Sequence, residues 1–356
     1  MRVLHIITSL NIGGAEKLMV DLLPKLNAQG VETELLVFVG NKTMFYEQLE
    51  MDKVKIYTFA ERGSVYNPQH IFKLCRFLKK NKYDVIHTHN TAPQIFAAIV
   101  FSFVKFNLVT TEHNTTNRRR NWKWYKIIDR WMYSKYQFVI SISDAANNNL
   151  KEYLSVTDNV GKYITVYNGV DISKLENAVA SFVPDKKVIT MVAGFRPQKD
   201  QDTLIKAFSL LPKGQYELWL VGDGERRAAL EELVAKEGLN DDVKFWGIRQ
   251  DIPSILKSSN VIVMSSHYEG LSLSSVEGMA VGKPFVASDV DGLHEITEGA
   301  GILFKHGDYQ QLANIIVELT NDIELYNKVA EQCLVRARQY DISKMVDGYI
   351  EVYNSL

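Results

Sequence analysis

Short apolar runs rich in β-branched and aromatic residues alternate with helix-patterned stretches along the whole chain, and the alternation runs through twice. A run of this kind is apolar on both faces and needs cover on both. Interleaved with amphipathic helices, it specifies parallel strands with helices packed above and below. The first series of expected strands covers 3–8, 32–39, 54–59, 84–89, 108–113, 138–143 and 164–169. After the polar, proline-containing stretch DISKLENAVASFVPDKK (171–187), a second series covers 187–194, 216–222, 243–247, 261–266, 284–289 and 301–304. A chain of 356 residues also exceeds what one core usually serves. The expected fold class is therefore α/β with two domains, residues 1–170 and 188–339, joined by a linker at 171–187.

Composition removes several function classes. Hydrophobic residues at 46% and charged residues at 23% are ordinary for a packed protein and exclude disordered or fibrous classes. Cys75 and Cys333 stand far apart with no metal-like spacing and read as buried thiols in a reducing compartment. The N-terminal MRVLHIITSLNIGG lacks the long apolar region and small-residue cleavage site of a signal peptide, so a cytoplasmic chain is expected. The longest apolar stretch, Ile95 to Val109, is broken by Lys105 and is too short to cross a bilayer. Residues 1–170 carry a basic excess and the remainder an acidic one, which makes the first half the candidate for an anionic acceptor or a membrane surface.

In open parallel sheets, ligands sit beyond the carboxyl ends of the strands. There the sequence places Gly13 and Gly14, His87 to Asn90, Glu112 to Asn114, Gly194 to Lys199, Gly222 to Gly224 and Ser265 to Gly270. The segment SSHYEGLSLSSVEGMAVGKPFVASD (265–289) holds two carboxylates, Glu269 at a strand end and Glu277 on the following helix. Between them GLSLSS offers backbone N–H groups at a helix N-terminus, suited to an anion or to sugar hydroxyls. A carboxylate accepts two hydrogen bonds and so matches a cis-diol. The same spacing also fits an acidic surface pair on an ordinary strand–helix unit.

Glu269-x7-Glu277 within EGLSLSSVEGMAVGKPFVASDVDGLHEI, together with GFRPQKD (194–200), VGDG (221–224), NGVD (168–171) and IGGAE (12–16), resembles the retaining nucleotide-sugar glycosyltransferases of family 4. These pieces span nearly the whole chain in the family's order. The resemblance implies the GT-B fold, two Rossmann-like domains whose parallel sheets face each other across a cleft, with the C-terminal helix 340–356 returning to the first, acceptor-binding domain. It also implies a metal-independent hexosyltransferase that takes a nucleotide-diphosphate sugar, a UDP-sugar being favoured, and uses no cofactor. The second domain is the donor-binding one: Glu277 holds the ribose hydroxyls, Glu269 lies against the donor sugar, and Arg196 and Lys199 hold the diphosphate. Backbone at Leu271, Ser272 and Leu273 assists, Gly13 and Gly14 border the reacting centre, and His113 contacts the sugar. Gly222 lines the nucleotide site, and Ile248 in WGIR meets the base.

His87 and His89 form His-x-His, which can bind zinc, but no third ligand is near them in sequence, so core or cleft lining is favoured. NRRRNWKWYKIIDRWMYSKY (117–136) carries seven basic residues against one acid, and as a helix it sets Trp124, Ile127, Ile128 and Trp131 on one face and Arg119, Lys123, Lys126 and Arg130 on another. That helix either docks on an anionic membrane or lipid-diphosphate acceptor, at the inner face of the membrane, or buries its apolar face in the domain. No nucleic-acid module surrounds it. The expected function is saccharide transfer to a saccharide or lipid-linked acceptor in surface polysaccharide or glycolipid synthesis. A nucleotide-sugar epimerase and a non-catalytic nucleotide-sugar binder are the alternatives.

Overall fold

The computed structural model describes residues 1–11, 13–113, 122, 124–157, 161–270 and 272–356. They form two compact units, 1–169 with 342–356, and 170–341. The first unit holds a seven-stranded sheet built from β1 (Arg2–Ile7), β2 (Glu32–Val39), β3 (Lys55–Ala60), β4 (Val85–His89), β5 (Asn107–Glu112), β6 (Phe138–Ser141) and β7 (Tyr163–Thr165), in the order β3-β2-β1-β4-β5-β6-β7. Every pairing in it is parallel.

Period-two alternation sorts the side chains of this sheet into two cores. Val3, Ile7, Val85 and Val109 face helix Gly14–Ala28 and the C-terminal helix Ile342–Asn354, whose Met345, Val346, Tyr349, Val352 and Tyr353 are buried there. Leu4, Ile6, Ile86 and Leu108 face the opposite way, toward helices Gln69–Lys80, Thr91–Phe101 and Tyr125–Ser134.

The second unit repeats the plan with six parallel strands: β8 (Lys187–Val192), β9 (Tyr216–Val221), β10 (Val243–Gly247), β11 (Val261–Met264), β12 (Phe285–Ser288) and β13 (Ile302–Phe304), in the order β10-β9-β8-β11-β12-β13. In both sheets the first strand ends up inside the sheet, and the chain reverses its direction of travel across it, between β1 and β4 and between β8 and β11. Helices leaving the two central strands on opposite faces open a crevice at each such point.

The expected linker is a packed part of the second unit. Asp171 caps helix Ile172–Glu176 by accepting from the Lys174 amide at 3.2 Å, Ile172 and Leu175 are buried in the main core of that unit, and Phe182 packs edge-on against Trp246 at 4.8 Å. The stretch 95–109 divides into the end of helix Thr91–Phe101 and the start of β5, and no helix among the described residues is long and apolar enough to cross a membrane.

Candidate active site

In the second unit, the loops that leave β8 and β11 meet at the crevice. The chain after β8 turns through a short 3-10 segment, Pro197–Lys199, and enters helix Gln201–Ser209 through Asp200. Asp200 adopts a left-handed backbone (φ 48°), and its carboxylate accepts from the Thr203 amide at 3.3 Å and from Thr203 Oγ1 at 2.6 Å, which fixes the direction in which Lys199 leaves the chain. The β11 loop is stitched to it: the His267 amide donates to the Gln198 carbonyl at 2.8 Å, and Gln198 Nε2 donates to the Tyr268 carbonyl at 2.8 Å.

These stitches bring Lys199 Nζ onto Glu269 Oε1, which also accepts from Ser266 Oγ at 2.6 Å. The carboxylate is 7% exposed, so its orientation is held by a cation and a hydroxyl in a site largely shielded from water. Arg196 is exposed, and its guanidinium has no hydrogen bond or ion pair among the described residues. It precedes Pro197–Lys199 on the same loop, as an exposed cation past β8.

Two glycines let backbones approach at this end of the sheet. Gly222, just past β9, has φ 139°, and a Cβ there would lie 2.1 Å from the Ala193 carbonyl oxygen. Gly292, past β12, has φ 84°, and its Cβ would lie 2.3 Å from the Glu269 carbonyl oxygen. The first lets the β9 turn close on the β8 loop, and the second lets the β12 loop close on the Glu269 loop. Glu277 is buried on helix Leu273–Ala280, Ser272 is the buried residue at that helix's N-cap, and Leu273 is partly buried against the core. Ile248 is exposed past β10. Leu271 lies outside the described residues. Asp200, His267 and His306 form a further cluster whose ligand atoms lie within 4.8 Å of one another, with both histidines exposed and 2.6 Å apart through Nδ1 and Nε2.

In the first unit, the crevice between β1 and β4 is bordered by Gly13, in extended conformation, and Gly14, which opens helix Gly14–Ala28. Asn90, at the end of β4, has φ 68° and donates to Thr8 Oγ1 at 3.1 Å and to Glu16 Oε1 at 3.4 Å. Burial raises the Glu16 carboxyl above its ordinary value, and the Asn90 hydrogen bond opposes that shift. The sequence places Asn90 at a strand end and Glu16 within IGGAE without giving either a task; their pairing across the crevice is what the fold adds.

His113 follows β5 and continues the alternation of Val109 and Thr111, so it faces the same side as His87 and His89. Its Nε2 is 2.9 Å from His89 Nδ1, and His89 Nε2 is 3.0 Å from His5 Nδ1. The expectation that His87 and His89 lack a third imidazole is corrected here, because β1 pairs with β4 in a register that sets His5 opposite His87. All six ring nitrogens of His5, His87 and His89 have hydrogen-bond partners, so the cluster is satisfied without a cation. Burial holds these imidazoles neutral: it pushes His5 down to about 3 and His113 to about 4, and His87 and His89 well below the ordinary histidine range.

Of the basic segment, residues 117–121 and 123, including Arg119 and Lys123, lie outside the described residues. Helix Tyr125–Ser134 buries Asp129, Met132 and Tyr133, while Trp124, Ile127 and Trp131 are exposed, so the predicted apolar face does not enter the core. Lys126 and Arg130 reach the end of helix Asp144–Leu154, with Lys126 Nζ donating to Ser155 Oγ at 2.7 Å and Arg130 Nε donating to the Leu154 carbonyl at 2.6 Å.

Residues 12–174 match the model of Glycosyltransferase Family 4, and residues 174–333 match that of Glycosyl transferases group 1. The chain is 26% identical over 305 residues to UDP-Gal:alpha-D-GlcNAc-diphosphoundecaprenol alpha-1,3-galactosyltransferase of Escherichia coli, covering 80% of this chain and 78% of that protein. It is 22% identical over 367 residues to N-acetyl-alpha-D-glucosaminyl L-malate synthase of Bacillus anthracis, covering 96% and 94%. Among solved structures, HepE of Anabaena in complex with UDP and glucose superposes with a TM-score of 0.84 at 23% identity over the full length of both chains. Relatives of this kind do not favour the epimerase reading. With two Rossmann-like units of parallel sheet, and family models that together account for residues 12–333, the chain belongs to the family 4 glycosyltransferases of the GT-B fold.

Proposed function

We propose that this protein transfers a hexosyl group, with retention of anomeric configuration, from a nucleotide-diphosphate sugar to a hydroxyl of a saccharide or lipid-linked saccharide. The observation that carries the reading is the assembly at the β8–β11 crevice, where Lys199 and Ser266 orient Glu269 and the exposed Arg196 lies on the same loop as Lys199. A buried carboxylate held by a cation and a hydroxyl suits hydroxyl groups on a sugar. An exposed guanidinium suits a diphosphate. That the E. coli relative uses a UDP-sugar and HepE was solved with UDP supports a UDP-sugar as donor.

In the proposed reaction the bond between the anomeric carbon and the distal phosphate oxygen breaks while a bond to the acceptor oxygen forms on the same face. The acceptor proton passes to the departing phosphate oxygen. Negative charge grows on the diphosphate as the bond breaks, and Arg196 and Lys199 stabilise it without a metal. Each charged hydrogen bond contributes about 1.5–3 kcal/mol. Glu277 is assigned to the ribose hydroxyls, and backbone at Leu271, Ser272 and Leu273 to the sugar and distal phosphate. Gly222 and Ile248 are assigned to the nucleotide, Gly13 and Gly14 to the border of the reacting centre, and His113 to the donor sugar. The exposed Trp124, Ile127 and Trp131 support a lipid-linked acceptor and peripheral contact with an anionic membrane.

A panel of UDP-, GDP-, ADP- and dTDP-sugars, assayed with lipid-linked saccharides in the presence of EDTA, tests the reading. It predicts transfer that survives the chelator and a product with the donor's anomeric configuration. An inverted product, or activity abolished by EDTA and restored by a divalent cation, contradicts it.

A further inference from the structure

Seven polar groups of the first unit form one continuous hydrogen-bonded chain from the C-terminal helix to His113. Tyr349 Oη lies 3.1 Å from Thr111 Oγ1, which lies 2.8 Å from His87 Nε2. His87 Nδ1 lies 2.6 Å from Tyr353 Oη, which is 3.4 Å from His5 Nε2. His5 Nδ1 then meets His89 Nε2 at 3.0 Å, and His89 Nδ1 meets His113 Nε2 at 2.9 Å. Tyr349, Thr111, His87, Tyr353, His5 and His89 are all buried, and burial keeps the imidazoles neutral.

A neutral imidazole donates from one nitrogen and accepts at the other. A hydroxyl carries one hydrogen, so as long as every hydroxyl hydrogen has an acceptor the direction of one link sets the direction of every link. Two directions are open, and they differ at the far end. In the first, Tyr349 donates to Thr111, Thr111 to His87 Nε2, His87 Nδ1 to Tyr353, Tyr353 to His5 Nε2, His5 Nδ1 to His89 Nε2, and His89 Nδ1 to His113 Nε2. Every hydrogen along the chain then has an acceptor, and His113 carries its own proton on Nδ1. In the second, His87 Nε2 donates to Thr111, and the hydrogen of either Thr111 or Tyr349 has no acceptor among the described residues. A buried donor left unmade disfavours that direction by roughly ten-fold or more.

We infer that the Thr111–Tyr349 hydroxyl pair fixes the tautomer of His113, so that this histidine presents an Nδ1–H donor at the end of β5 and does not act as a base. Thr111 is a positioning residue acting through four aromatic rings. The tautomer follows from the chain alone; its consequence, a hydrogen bond given to a hydroxyl or phosphate oxygen of the donor, rests on the function proposed above.

The test is two-bond 1H–15N correlation NMR on ligand-free protein labelled at histidine, with the His113 signals assigned by their loss in His113→Gln. The wild type should show His113 protonated on Nδ1. Thr111→Ser and Tyr349→Phe, which both keep a hydroxyl donor at position 111, should retain that tautomer. Thr111→Val combined with Tyr349→Phe removes both hydroxyls and should give a tautomer mixture. A wild-type His113 protonated on Nε2 overturns the inference, as does a double variant with the wild-type tautomer. Because no substrate is present, the outcome is independent of whether the protein transfers sugar.

Discussion

Glu269 shows what a single side chain contributes here and how much of it the sequence exposes. Its carboxylate is fixed by Lys199 and Ser266, and the loop carrying it is pinned to Gln198. Glu269→Gln keeps the shape and loses the charge, so the turnover number should fall roughly 100-fold or more while nucleotide affinity changes far less. Arg196→Ala should weaken both, and steady-state kinetics beside calorimetric titration with UDP separates the two. The spacing of Glu269 and Glu277 was legible because both lie in one strand-to-helix unit. The Ser266 and Gln198 contacts were not, because loop conformation rather than motif spacing makes them. His5 was hidden for a different reason: it is 82 residues from His87 and meets it only through strand pairing.

The buried histidines carry a pH dependence whose sign is fixed. His5, His87 and His89 titrate lower in the folded chain than the ordinary value of 6.5, so below that value the unfolded chain binds more protons. Their contribution to stability is complete above pH 6.5 and declines as pH falls toward the folded-state values. Each imidazole removes up to about 1.4 kcal/mol per pH unit in that range. Melting temperatures measured between pH 7.5 and pH 5 should fall steadily with acidity. A flat profile over that interval would show that these rings are protonated or solvated in the folded state.

At the scale of elements, the strands were the most legible feature, since two-sided burial leaves unbroken apolar runs. The expected linker was misjudged because Ile172, Leu175 and Phe182 are spread among polar residues, and only the fold shows that they all turn inward. For the basic helix the sequence left two alternatives open, an exposed docking stripe or a buried apolar face, and the fold leaves the stripe exposed. Its three exposed aromatic and aliphatic residues form a regular stripe, yet the buried face is made by Asp129, Met132 and Tyr133. Periodicity identifies a stripe and does not say which side the sheet lies on. The turn glycines are a sharper test of the local argument. Gly222→Ala should cost about 2 kcal/mol or more in chemical denaturation, because the turn needs φ 139° and the Ala193 carbonyl occupies the space for a methyl group. At Gly14, where a Cβ meets nothing within 4 Å, the same replacement should change stability by about 0.5 kcal/mol or less.

For the whole molecule, chain order and spatial order part company at the C-terminus. Helix Ile342–Asn354 belongs to the unit built by the first 169 residues and supplies both the apolar cover and the tyrosines of its histidine layer. Removing residues 342–356 should therefore destabilise the first unit selectively, visible in hydrogen exchange as lost protection in β1, β4 and β5 with β8 to β13 retained. Each buried Met, Val or Tyr side chain withdrawn exposes on the order of 1.5–3 kcal/mol of apolar burial. The repetition of one α/β plan in the two units was plain from the sequence, whereas the role of the last helix came only from family resemblance.

In the proposed function, Arg196 and Lys199 of the second unit hold a nucleotide-diphosphate sugar whose glycosyl group passes to an acceptor hydroxyl. Acceptor-dependent release of nucleoside diphosphate from a UDP-sugar, compared between the wild type and an Arg196→Ala, Lys199→Ala double variant, tests it most directly. Release should require the acceptor and fall by at least about 100-fold in the variant. Equal release by both proteins, or none from any nucleotide sugar with any lipid-linked saccharide, would contradict it.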